Sequence, residues 1–143
     1  MEDILSIERA IIAKLKTIAA LKNVGSYSGQ FDTVLTLTLP AVLVMYDSAT
    51  IDNVAGRGVH GIVTVRFTVL VVGKTSYGRE TISTDVRSSL DAVRNALNGL
   101  QINGKNKILT WEGEKLEMIS KAGEFWYAQS YKFIDSLSEG LKQ

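Results

Sequence analysis

The chain has 143 residues, 45% of them hydrophobic and 22% charged, with a formal net charge of +1, a profile typical of one ordinary globular domain. The near balance of charge argues against a dedicated nucleic-acid-binding protein, and no apolar run is long enough to cross a membrane. The lack of cysteine excludes disulfides and thiolate chemistry, and a single histidine, His60, leaves little material for a catalytic triad or a histidine-rich metal site.

Residues 2–22 predict an amphipathic helix, because apolar residues recur along one face at steps of three and four. This stripe consists of Ile4, Ile7, Ile11, Leu15, Ile18 and Leu21. Glu2 and Asp3 suit the positive end of the helix dipole, and an acidic start is also unlike a secretory signal. Asn23 and Gly25 are expected to end the helix.

The next part of the chain predicts extended structure. Residues 27–32 are turn-like, and the alternation in 33–39 predicts a strand or an extended arm. Pro40 is the only proline and suits the first residue of a strand. The continuous apolar run over 41–47 then predicts a strand that is buried on both faces.

A glycine-rich segment separates this strand from the next one. Gly56, Gly58 and Gly61 form a literal G-x-G-x-x-G within residues 48–61, a motif that binds a pyrophosphate only when a helix follows it. Residues 62–72 alternate valine and polar side chains, which predicts a strand instead. The glycines are therefore interpreted as a long hairpin loop, and no nucleotide site is predicted.

The second half of the chain predicts a helix over 80–98, followed by Gly99 at the position of a C-terminal glycine. Its expected buried stripe is Ile82, Val86, Leu90, Val93 and Leu97. An Asn-Gly turn at 103–104 precedes residues 107–119, which predict one long strand or two short strands kinked near Gly113.

Residues 124–134 predict the returning strand of a hairpin. Its aromatic face is expected to be buried and consists of Phe125, Tyr127, Tyr131 and Phe133. Residues 135–143 are expected to fray. The whole chain, 1–143, is thus predicted to be one α+β domain, with two helices packed on one face of a mostly antiparallel sheet as a two-layer sandwich.

Two groups of residues raise the question of catalysis. His60 lies in the glycine-rich segment with Asp52 as the nearest carboxylate in sequence, and no G-x-S-x-G motif is present. Glu112, Glu114 and Glu117 form a weak metal signal, in which the first two share a face if the strand runs unbroken through Gly113. A solvated loop and a charged strand edge are the favoured interpretations, so no catalytic residue, cofactor or metal ligand is predicted.

Interface residues are the remaining candidates. Trp126 faces away from the aromatic stripe and would be an interface anchor if that face is exposed. Base stacking is disfavoured, because Lys132 is the only basic residue in that strand. The predicted interface residues are Asp52, Asn53, Arg57, His60, Arg66 and Trp126.

The order of segments resembles a known family over residues 4–98. The sequences "IERAIIAKLK", "YSGQFD", "LPAVLVMYD" and "GRETISTDVRSSLDAVRNAL" are similar to the Mu-like phage proteins whose gene lies just before those for tail sheath and tube. That family is similar in role to the tail terminators of long-tailed phages and of phage-tail-like bacteriocins. Gln30 stands where the family pattern suggests an acidic residue.

The resemblance implies a structural protein of the virion, made in the host cytoplasm and placed at the head-proximal end of the tail. It implies a homo-oligomeric ring, expected to be a hexamer, that caps the tail tube, ends its polymerisation and presents the head-joining surface. Implied partners are the tube and sheath proteins, the head-tail connector and DNA passing through the lumen without sequence-specific binding. Subunit contacts in such a ring need two different surfaces, expected in loop 48–61 and at the strand edges.

Other functions stay open at this point. A neck or stopper protein on the head side would also form a ring. A small cytoplasmic enzyme or ligand-binding domain would use His60 and the carboxylates of 112–117, and its turnover would be lost in His60→Ala. A nucleic-acid-binding accessory protein would show DNA affinity that falls steeply with salt.

Overall fold

The computed structural model describes residues 4–27, 39–52, 62–74, 79–102, 107–119 and 123–136, with backbone alone at 52, 74, 79–85 and 136. Two helices and five strands follow one another in the order helix, three strands, helix, two strands. They are α1 (Ile4–Leu15), β1 (Asn23–Ser26), β2 (Ala41–Asp52), β3 (Ile62–Lys74), α2 (Arg79–Leu97), β4 (Thr110–Ile119) and β5 (Glu124–Ser136). No helix in these ranges is long and apolar enough to cross a membrane.

The five strands form one sheet in the order β1-β2-β3-β5-β4. All neighbouring strands are antiparallel except β1 and β2, which are parallel. Both helices contribute buried side chains to one core against the same face of the sheet. The prediction of an α+β fold with a mostly antiparallel sheet is confirmed.

The main core lies between the helices and the inner face of the sheet. The inner face of β3 is the predicted alternating set, all buried: Val63, Val65, Phe67, Val69 and Val71. The stripe of α1 meets this layer through Ile7, Ile11 and Leu15. The burial predicted from the alternation of valine and polar residues is therefore confirmed for this face of β3.

A second, smaller core lies on the outer face of the sheet, away from the helices. It consists of Ala41, Leu43, Leu70, Val72, Trp126 and Ala128. Residues 41–44 are thus buried on both faces, as the apolar run predicts, whereas Tyr46 further along β2 is 40% exposed.

The first helix is shorter than predicted. It ends at Leu15, and the hydroxyl of Thr17 donates to the carbonyl of Lys14 at 2.6 Å in the turn that follows. Leu21 is still buried in the main core, so the apolar spacing continues although the helix does not. Asn23 and Gly25, expected only to end the helix, belong to strand β1.

Strand β2 is longer than predicted, because residues 48–52, predicted to belong to a loop, are part of it. Its pairing with β3 continues to Asp52, with an irregularity between Tyr46 and Ser48. The G-x-G-x-x-G at 56–61 and most of segment 27–39 lie outside the described residues. The element that follows the glycines is strand β3 rather than a helix, so the argument against a nucleotide-binding motif holds.

The second helix packs closely on β3. The predicted residues Val86, Leu90, Val93 and Leu97 are all buried, and Gly99 has the positive φ of 87° typical of a helix C-terminal glycine. A Cβ atom placed on Gly73 of β3 would lie 2.6 Å from Cγ2 of Val86. Glycine is therefore required at this crossing.

Strand β4 is one strand with two irregularities rather than two strands. Its register with β5 shifts between Trp111 and Gly113, and again between Leu116 and Met118. Gly113 has a φ of 151°, a backbone angle that residues other than glycine rarely adopt. The kink expected near Gly113 is therefore a β-bulge within a continuous strand.

Strand β5 continues beyond the predicted boundary. The expected fraying from residue 135 is wrong for its first two residues, since Asp135 pairs with Val63 and Ser136 pairs with Ile62. Asp135 is 5% exposed and lies 3.6 Å from Nζ of Lys107. The neighbouring strand and the ion pair hold this end of β5 in the sheet.

Candidate functional site

The six predicted interface residues fall into three groups. Arg66 lies in the middle of β3 on the outer face of the sheet, and Asp52 is the last residue of β2, paired with Ile62. Asn53, Arg57 and His60 lie outside the described residues, so their role stays a prediction. Trp126 is treated separately below.

Arg66 is held by side chains from strands on either side of β3, namely β2 and β4. Its Nε lies 3.3 Å from Oε1 of Glu112, and its Nη1 donates to the hydroxyl of Thr50 at 3.3 Å. The side chain is still 36% exposed. The guanidinium is thus oriented and partly exposed, and has an internal carboxylate as its counter-ion.

Hydroxyl side chains surround Arg66 on the outer face. Directly paired residues share one face of a sheet, and the register places there Ser48, Thr50, Thr64, Thr68, Thr110 and Ser130. Lys132 lies directly opposite Arg66. We call this set of residues the hydroxyl-rich surface. Its donors and acceptors suit polar contacts with another protein or with water.

The acidic residues of β4 do not form a joint site. Glu112 contacts Arg66 on the outer face, whereas Glu114 accepts a hydrogen bond from Arg94 of α2 at 3.1 Å. Glu117 lies 3.8 Å from Lys115. Within the described ranges no group of three acidic or histidine residues is close enough to hold a metal. The bulge at Gly113 separates Glu112 from Glu114, which a regular strand would place on one face.

A buried polar network joins α2 to the last two strands. Gln129 is fully buried, and its amide nitrogen donates to the carbonyl of Leu90 and to Glu114, both at 3.0 Å. The hydroxyl of Tyr131 donates to the amide oxygen of Gln129 at 2.6 Å. Arg94 completes the network through Glu114 and Asp91, and its guanidinium lies 5.2 Å from the ring centre of Trp111.

The environment of Tyr131 keeps its phenol protonated. Burial raises the pKa of Tyr131 well above its usual range; nearby Arg94 opposes this rise and Glu114 adds to it. A neutral hydroxyl is the form that can donate to Gln129. The network therefore fixes the helix on the sheet, and the neutral Tyr131 phenol in it acts as a hydrogen-bond donor.

Trp126 does not meet the condition set for an interface anchor. It faces away from Phe125 and Tyr127, as the alternation predicts, but its side chain is 2% exposed. It packs with Leu43, Leu70 and other residues of the second core. The indole therefore packs against residues of its own chain.

The sequence interpretation missed the buried network. One signal was available: Gln129 occupies a core position in the run Phe125, Tyr127, Tyr131 and Phe133. An amide at such a position needs internal partners. Which partners it would find depends on α2, which the local sequence does not indicate.

Comparisons with known proteins show a likeness of fold. No protein-family model and no curated protein sequence matches the chain. The chain has a fold similar to that of a chain in the solved structure titled "Virion of native gene transfer agent (GTA) particle", with a TM-score of 0.60 and 15% sequence identity. The match covers 95% of this chain and 99% of that one.

Proposed function

We propose that this chain is a structural component of a phage-like particle, and that within it the chain is the tail-completion protein. The observation that carries the proposal is the likeness of fold to a chain of a gene transfer agent virion, which spans nearly the whole length of both chains. At 15% identity this likeness supports the class of protein rather than a position in the particle.

The finer assignment rests on the sequence resemblance to the tail-terminator family. In this role copies of the chain form a ring, expected to be a hexamer, that caps the tail tube, ends its polymerisation and receives the head connector. DNA passes through the lumen without sequence-specific binding. Glu112 already neutralises the charge of Arg66. The polar side chains around Arg66 therefore suit contacts with other tail proteins better than catalysis or tight DNA binding.

Tail length in particles from a strain lacking the gene tests the proposal. Tails of uncontrolled length, unattached to heads, are expected in electron micrographs. Tails of normal length that fail to join heads would move the chain to the neck or stopper position. Normal particles would overturn the structural role altogether.

Complementation of that strain tests the enzyme alternative and the predicted interface. His60→Ala is expected to restore normal particles, because no chemistry at His60 is required; a loss traced to lost turnover would favour the enzyme. Arg66→Glu is expected to impair tail completion more than Lys132→Glu, because it also places a second carboxylate beside Glu112. Equal effects would remove Arg66 from the proposed contact surface.

A further inference from the structure

The two edge strands of the sheet run in opposite directions, as an antiparallel pairing between copies requires. Strand β1 forms one edge and β4 the other, and in the described ranges neither has a strand on its outer side. β1 is parallel to β2, and each later step across the sheet is antiparallel. β4 therefore runs opposite to β1, so that two copies placed side by side would join β4 to β1 as an antiparallel pair.

The two edges also match in position along the strands. The pairing ladder runs from Gly25 through Leu43, Leu70 and Ala128 to Lys115. The same ladder carries Val24 across the sheet to the row of Leu116 on β4. β1 thus lies level with the middle of β4, and neighbouring copies need no shift along the strand to pair.

The side chains in these rows are compatible. Val24 is half-buried and packs against the main core on the inner face, and Leu116, in the same row, is 44% exposed. Ile119, further along β4, is 55% exposed. Side-by-side placement would cover these residues of β4 with the inner layer of the next copy, which removes apolar surface from water.

Charge at the two edges is complementary. The α1–β1 region, residues 4–27, carries four basic residues and one acidic residue, and Lys22 is exposed directly before β1. On β4, Glu112 and Glu114 are neutralised by arginines, and the carboxylate that remains near the edge is Glu117. Its contact with Lys115 at 3.8 Å is exposed and easily exchanged. Glu117 lies between the rows of Val24 and Asn23, so it would lie near Lys22 of a copy placed side by side.

We propose that a second copy of this chain binds along β4 through its α1–β1 edge, so that the sheets of adjacent subunits become continuous. The inference rests on the proposed function, because such head-to-tail contacts use two different surfaces and close into a ring. It names β4 and β1, rather than the hydroxyl-rich surface, as the subunit contact.

Disulfide cross-linking of the full chain tests the contact. The protein has no cysteine, so the double variant Gly25→Cys, Lys115→Cys can link only through the introduced thiols. A side chain on Gly25 meets no atom within 4 Å, and Lys115 is 74% exposed. Opposed residues of an antiparallel pair have Cα atoms about 4.5–5.5 Å apart, which a disulfide spans.

On mild oxidation the double variant is expected to give a reducible ladder of multimers on denaturing gels. Either single variant should stop at dimers. The matched control Gly25→Cys, Ile134→Cys places the second thiol on an exposed outer position of β5 and should give no ladder. No ladder from the first pair, or an equal ladder from the control, would overturn the proposal.

Charge exchange provides a second measurement. Lys22→Glu and Glu117→Lys should each reduce association in sedimentation velocity at low salt, and the double variant should recover it. Unchanged association in both single variants would contradict the contact. If the strain lacking the gene makes tails of uncontrolled length but the double cysteine variant gives no ladder, the edge contact is refuted and the proposed function stands. If the double cysteine variant gives a ladder but the strain lacking the gene makes normal particles, the proposed function is refuted and the edge contact stands.

Discussion

Glu112 and Glu114 are two residues apart in the sequence, yet they bind arginines on opposite faces of the sheet. Glu112 contacts Arg66 on the outer face and Glu114 contacts Arg94 on the helix side. The bulge at Gly113 makes this possible, because it shifts the register of β4 by one residue. Strand β4 thereby supplies one carboxylate to an arginine on each side of the sheet.

Gly113→Ala is expected to lower the free energy of unfolding by about 1–3 kcal/mol, because a side chain is strained at this φ of 151°. No atom lies within 4 Å of the added Cβ, so the effect comes from the backbone alone. Urea denaturation measures it. Gly25→Ala is the control, with an open position and no positive φ; equal stability of the two variants would contradict the strained bulge.

Gly73→Ala is expected to cost about 1–3 kcal/mol for a different reason, which is overpacking. The new methyl group would lie 2.6 Å from Cγ2 of Val86. Val86 is 2% exposed and β-branched, so its side chain has little freedom to move away. The companion variant Gly73→Ala, Val86→Ala should recover part of the loss in thermal or urea unfolding; no recovery would show that the close approach is not the cause.

Tyr131→Phe is expected to lower the free energy of unfolding by about 1–3 kcal/mol, because the buried amide oxygen of Gln129 loses its donor. The ring itself remains packed. Tyr46→Phe is the control, since Tyr46 is 40% exposed and its ring contact with Phe67 does not involve the hydroxyl. Equal losses in the two variants would contradict a special role for the buried hydroxyl.

The protein is expected to lose stability at alkaline pH partly through Tyr131. Burial raises the pKa of Tyr131 above the ordinary value of 10.0. Below that value both states keep the proton and the contribution is constant. Above it the unfolded chain loses the proton while the folded chain keeps it, so the free energy of unfolding falls.

The measurement compares wild type with Tyr131→Phe in urea from about pH 9 to about pH 11. The stability advantage of wild type should shrink across this range, because the variant has no phenol at this position. A constant difference between the two proteins would show that the Tyr131 phenol titrates normally.

Periodicity predicted the elements that have a strong internal pattern. β3 and the part of α2 from Val86 to Leu97 carry their apolar residues at the spacing of their own secondary structure, and Val65 and Leu90 are buried as expected. The class of fold follows from the order of such elements. These features depend on local sequence, so the sequence alone suffices for them.

The features that were missed depend on partners far away in the chain. Four residues, Asn23–Ser26, become a strand only because β2 lies beside them. The site behaves in the same way: Arg66 was a candidate from its place in a valine-rich strand, but its partners Glu112 and Thr50 come from two other strands. The burial of Trp126 likewise results from β2 and β3, which its own strand does not reveal.

The position of β5 affects how the chain folds. It is the last strand in the part of the chain that the structure describes, yet it lies between β3 and β4, and its pairing reaches Ser136. Until β5 is synthesised, β4 has no strand neighbour and β3 has only β2. Such non-local pairing slows folding, so the sheet is completed only after β5 has been made. In the proposed subunit contact, β4 would therefore become available only once β5 has joined the sheet.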